Sequence, residues 1–140
     1  MNTAVIDASF CLTFLLTDEQ HEAVTQAFHA YASGKIVFIA PTILPYEIAN
    51  GLLLAARRKR IPPEELFVKL EEFTQLQIPL LEISAQETLA VAHAAQLSFY
   101  DAAYATLAWK KQATLLTLDS KLARAFGKID LASLDNPLSA

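Results

Sequence analysis

Four short apolar runs, each parted from the next by helical patterns, restrict the fold more than any other feature of the chain. They are residues 4–6 (AVI), 36–39 (IVFI), 79–83 and 114–118 (TLLTL). The first two are apolar throughout and β-branched-rich, as strands buried on both faces of a sheet are. Strands separated by helices need crossover connections, which makes the neighbouring strands parallel. The expectation is an α/β protein, three layers α/β/α around a central parallel sheet. Residues 1–132 are read as one domain, with 129–131 as a short edge strand and 133–140 as a loose tail.

The helices carry their own punctuation. Residues 9–16 are apolar nearly all round, and 19–32 end before Gly34, a natural helix-stopping residue. Residues 43–58 have Thr42 as the expected N-cap and Pro45 in the first turn, where a missing N–H costs nothing. After Ile61-Pro62-Pro63, residues 64–75 form an amphipathic pattern with Leu66, Phe67, Leu70 and Phe73 inward. Ser84 followed by Glu87 is a capping box, and Ser98 followed by Asp101 has the same form. These open helices running to 96 and 111, and a last short helix covers 120–126.

Composition narrows the class. With 140 residues, 54% apolar and 19% charged, the chain can bury a sizeable core, yet no apolar run reaches membrane-spanning length. The lone Cys11 excludes an internal disulfide and suits a reducing cytoplasm. The apolar surplus points to a covered protein face or a dimer. A net charge of −4 argues against nucleic-acid binding by bulk charge, though it leaves room for a local basic lane.

Four acids stand at junctions between elements. Asp7 ends the first strand, at the carboxyl edge where open α/β sheets place ligands. Asp119 follows TLLTL, Glu47 opens the 43–58 helix with Asn50 and Gly51 on its face, and Asp101 lies in the first turn of its helix. Singly, each has a simpler reading as a helix cap or a dipole partner. Together they would collect at one end of the sheet, where carboxylates repel unless a cation or protons intervene. An all-oxygen set without His or Cys suits Mg²⁺ or Mn²⁺ and disfavours zinc. His21, His29 and His93 lie outside this set, and Trp109, Phe67, Phe73 and Phe126 read as core or interface. The one dense basic run, Arg57-Arg58-Lys59-Arg60, is either a solvated helix end or a track for phosphates.

VIDAS, LPYEIAN, YDAAYATLA and LLTLD, in that order, resemble the PIN domain, and more narrowly the VapC-type toxins of bacterial and archaeal toxin–antitoxin pairs. The likeness spans nearly the whole chain; Phe10 departs from it, where a smaller aliphatic is more usual. It implies a parallel sheet of order 3-2-1-4-5. It also implies that Asp7, Glu47, Asp101 and Asp119 ring a Mg²⁺ or Mn²⁺ site for RNA cleavage, with Ser9, Asn50 and Thr117 in support; a role for Arg57, Arg58 and Arg60 toward RNA rests on the basic run alone. Products with 5′-phosphate and 3′-hydroxyl ends, a homodimer and a neutralising antitoxin protein complete the expectation. The rival reading is a regulatory or scaffold α/β module whose acids bind Mg²⁺ without hydrolysis.

Overall fold

The computed structural model describes residues 2–18 and 21–128. β1 (Asn2–Ile6) is central, and Ala4, Val5 and Ile6 are wholly buried, as the unbroken apolar run requires. β2 (Ile36–Pro41) pairs with it in parallel from Asn2↔Ile36 to Val5↔Ile39. On its other side β4 (Thr114–Leu116) pairs from Ala4↔Thr114 to Ile6↔Leu116. β3 (Leu80–Leu81) extends the far edge beside Ala40 and Pro41. The order is therefore β3-β2-β1-β4, all parallel, which matches the expected order over these four strands. The candidate edge strand at 129–131 and the tail at 133–140 lie outside the described residues.

Helices α1 (Ala8–Leu15), α2 (Glu22–Ala32), α3 (Leu44–Arg57), α4 (Leu66–Gln75), α5 (Ala85–Ala95), α6 (Phe99–Lys111) and α7 (Ser120–Lys128) flank the sheet. α6 packs on β1 and β2. Its buried Ala102, Ala103, Ala105 and Ala108 carry little side-chain bulk, so the helix axis comes close to the strands. α5, α6 and α7 share a smaller core of Val91, Leu97, Ala102, Ala105 and Leu122, edged by stacked Trp109 and Phe126. Elsewhere Phe28 meets Phe38 edge-on and Tyr31 stacks on Phe38, joining α2 to the sheet. Among the described residues no helix is long and apolar enough to cross a membrane.

Three local expectations are corrected. Thr42 does not cap α3: Ile43 takes that place already in helical geometry, φ −73° and ψ −18°, so no side chain is presented to the first N–H groups. Phe67 does not face inward; it is 80% exposed. The short 3-10 turn Pro63–Glu65 starts α4 at Leu66, so Leu66, Leu70 and Phe73 form the inward stripe and Phe67 falls about a quarter-turn off it. The outer strands are also shorter than 79–83 and 114–118, because ladder bonds form only where a neighbouring strand runs alongside.

Candidate active site

Asp7 leaves β1 with an extended backbone and caps α1. Its Oδ1 accepts from the Phe10 N–H at 2.9 Å and from the Ser9 hydroxyl at 2.7 Å, and its Oδ2 accepts from the Thr117 hydroxyl. The same two hydroxyls then accept from the next loop, Ser9 from the Leu118 N–H at 3.1 Å and Thr117 from the Asp119 N–H at 3.0 Å. Ser9 and Thr117 thus tie the β1–α1 junction to the segment that carries Asp119. Asp119 caps α7, its Oδ1 accepting from the N–H groups of Lys121 and Leu122. The simpler cap readings of Asp7 and Asp119 are therefore geometrically true, and they do not compete with a clustered arrangement.

Glu47 sits in the first turn of α3 and accepts from the Tyr104 hydroxyl at 2.5 Å. Tyr104 lies three residues after Asp101 on α6 and is 1% exposed. Asp101 itself is placed by Ser98, whose hydroxyl accepts from the Asp101 N–H at 3.0 Å. All four acids line one cavity of about 480 Å³, together with Ser9, Asn50 and Gly51. A Cβ on Gly51 would stand 2.3 Å from Leu12 Cδ1, so the Leu12 side chain occupies the space that the glycine leaves between α3 and α1. Among the described residues neither His nor Cys lines the cavity.

Burial dominates the electrostatics. It pushes the Asp7 carboxyl above its ordinary range, more than the bonds from Thr117, Phe10 and Ser9 pull it down, and Asp101 adds to the rise. Glu47 is raised by burial against the pull of Tyr104, with Asp101 and Asp7 contributing. Asp101 is raised by burial and then by Asp119, while Ser98 and Lys121 oppose. Burial also raises the Tyr104 hydroxyl, and lifts the Cys11 thiol to about 12.

The basic run separates. Arg60 forms a two-point ion pair with Asp18, at 2.8 and 2.9 Å. Arg58 and Arg60 border a hollow of about 270 Å³ that shares Ser9, Leu12 and Gly51 with the acidic cavity. Arg57 lines neither. Tyr104 is a neighbour of the acids that motif reading missed; the available signal was its i+3 spacing from Asp101 on a helix.

Residues 4–127 match the model of the PIN domain. The chain belongs to the PIN-domain family. It is 34% identical over 126 residues to Ribonuclease VapC3 of Pyrobaculum aerophilum, covering 87% of this chain and 93% of that protein. The crystal structure of PAE2754 from the same organism superposes with a TM-score of 0.71 at 23% identity, covering 89% of this chain and 79% of that one, a likeness of fold.

In this PIN domain the donor chemistry fits a hard divalent cation, since every carboxylate at the cavity offers oxygen. Among the described residues no three His, Cys, Asp or Glu side chains converge tightly enough to chelate one ion as they stand. Asp7 and Glu47 are instead turned to hydroxyl donors. Without a cation the acids should make stability fall with rising pH. Asp7, Glu47 and Asp101 have folded-state pKa values above the ordinary 3.8 and 4.5. Between the ordinary and the raised values the folded protein holds protons that the unfolded chain has lost, so the slope is negative there. In the presence of a chelator, the melting temperature is expected to rise as pH drops from about 7 into that window. A steady fall on mild acidification would contradict the burial and repulsion argument.

Proposed function

We propose that this chain is a Mg²⁺- or Mn²⁺-dependent endoribonuclease, the toxin of a VapBC-like toxin–antitoxin pair, built as one domain over residues 1–132. The observation that carries the reading is the gathering of Asp7, Glu47, Asp101 and Asp119 on one cavity at the strands' carboxyl ends. The similarity to a protein named Ribonuclease VapC3 adds the substrate class. The four acids would hold the cation. When bound, such an ion supplies charge neutralisation at a phosphodiester and a more acidic water.

The chain's own residues supply orientation. Ser9 and Thr117 fix both oxygens of Asp7, and Tyr104 fixes Glu47. Asn50 lines the cavity with an exposed amide that can donate to a phosphate oxygen. Arg58, with Arg60 beside it, lies where an RNA backbone leaving the cavity would run. Lys121 is near enough to Asp101 to lower its pKa and offers a second cation. Products carry 5′-phosphate and 3′-hydroxyl ends. The protein works in the cytoplasm as a homodimer, and a cognate antitoxin covers the groove.

The test is incubation of the purified protein with RNA and Mg²⁺ or Mn²⁺, beside the same reaction in excess chelator. Cleavage is expected only with the metal. Equal cleavage in chelator would remove the metal from the mechanism. Metal binding without cleavage would favour the non-hydrolytic module.

A further inference from the structure

The acidic cavity has an aromatic neighbour that hydrolysis of a phosphodiester does not require. Tyr46 on α3 and Tyr100 on α6 line the cavity, 73% and 55% exposed. Beside it lies a second hollow of about 300 Å³, walled by Pro41, Ile43, Ile83, Phe99, Tyr100 and Ala103. The two hollows share Ile43 and Tyr100. Phe99, itself partly exposed, meets Tyr100 edge-on, with ring centroids 6.1 Å apart and planes at 89°. Thr42 and Glu82 add a hydroxyl and a carboxylate to the otherwise apolar wall.

Rings left in water forgo the stabilisation of burial, so their grouping at a site mouth marks a surface that is covered in use. A phosphate gains nothing from such a wall, whereas a nucleobase has a flat apolar face and polar edges. A nucleotide joins the two through one sugar. If its phosphate lies at the acids, the adjoining base falls within a sugar's reach, where Tyr100 stands. The hollow that meets the acidic cavity at Ser9, Leu12 and Gly51, with Arg58 and Arg60, suits the backbone instead. A paired base keeps its faces in the helical stack, so only an unpaired one can enter.

Building on the ribonuclease reading, we infer that the hollow between α6 and the β2–α3 junction is a nucleobase pocket. It receives one unpaired base next to the phosphodiester held at the acids, stacked on Tyr100 with Phe99 as its support.

Binding of a labelled single-stranded oligoribonucleotide tests this, measured by anisotropy with Mg²⁺ in an Asp101→Asn background so that the strand stays whole. An abasic oligomer of the same length is the control. Adding Tyr100→Ala should weaken the intact oligomer about tenfold, as loss of one stacked base does. Tyr100→Phe should restore most of that affinity. The abasic oligomer should bind more weakly from the start and ignore both changes. Melting curves check that these exposed substitutions leave the fold intact. Unchanged affinity in Tyr100→Ala, or equal weakening of the abasic oligomer, would overturn the pocket. So would a Tyr100→Ala effect confined to a protein partner, which would assign the aromatics to that partner. If both oligomers bind alike while the parent still cuts RNA, the pocket alone fails. If neither binds and the parent leaves RNA uncut, the ribonuclease reading fails and the pocket with it; if neither binds while the parent cuts, the pocket alone fails.

Discussion

Asp7→Asn is expected to abolish RNA cleavage while leaving the fold nearly as stable as the parent, whereas Asp7→Ala should lose both. Asn keeps an oxygen where Oδ1 accepts from Phe10 and Ser9, and its amide can donate to Thr117 Oγ1. Ala removes the cap of α1 and leaves one N–H and two hydroxyls without their acceptor at a site only 4% exposed. Loss of a cap costs roughly 0.5–2 kcal/mol, and an orphaned buried donor roughly 1–3 kcal/mol. Against this, both variants remove a carboxylate that burial disfavours. The net expectation is a loss of roughly 1–3 kcal/mol for Ala, read by chemical denaturation, and little change for Asn. Cleavage should drop in both by more than about 100-fold, the upper end for changing even an outer partner of a metal ligand. Near-parental cleavage by Asp7→Asn would remove Asp7 from the reaction. Equal stability of the two variants would mean that the hydroxyl network contributes nothing net.

Much of the fold was legible because its signals are local. The apolar run at residues 4–6 needs two covered faces, and only a central strand supplies them. The serine caps act within four residues, and the serine half of each box forms, Ser84 accepting from Glu87 N–H and Ser98 from Asp101 N–H, while the Glu87 carboxylate pairs with Lys110 rather than returning to Ser84. What failed depends on distant or cumulative geometry. The inward face of α4 turns with its starting residue, which the 3-10 turn sets, and so Phe67 was misplaced. The ends of β3 and β4 depend on how far β2 and β1 accompany them, which no property of their own residues reports.

The site divides in the same way. Convergence of the four acids could be anticipated because each stands where one element gives way to another, and in a parallel sheet those junctions collect at one edge. Tyr104 offered only its i+3 spacing from Asp101 as a signal. Within YDAAYATLA it reads as one more core residue, and its partner Glu47 lies 57 positions earlier. Tyr46 and Tyr100 escaped for a related reason. Their exposure follows from the gap between α3 and α6, and no basic cluster interrupts them in the chain.

Asp101→Asn should raise the melting temperature of the metal-free protein by a few degrees and, at the same time, shrink the rise produced by Mn²⁺. Two effects compete in the first result. As an acid in the first turn of α6, Asp101 gains from the helix dipole, typically about 0.3–1 kcal/mol, and Lys121 supports its charge. Burial and the facing Asp119 oppose it, and they prevail, because the carboxyl is raised overall. Asp101 also helps to raise Asp7 and Glu47, so neutralising it relieves both of those groups as well. The Ser98 cap uses the Asp101 backbone N–H and survives the change. Because Asp101 is part exposed, solvent screens much of the gain, which keeps the expected rise to a few degrees. The second result follows from linkage: a ligand stabilises the native state in proportion to the logarithm of its occupancy ratio, so a tenfold loss of Mn²⁺ affinity near saturation removes about 1.4 kcal/mol of that stabilisation. Cleavage should fall by more than about 100-fold. Melting curves of parent and variant, each with chelator and with Mn²⁺, separate the two roles of this residue. A lower metal-free melting temperature with an undiminished Mn²⁺ shift would make Asp101 a helix-dipole partner alone, because a residue that serves only its own helix has no means of sensing the ion.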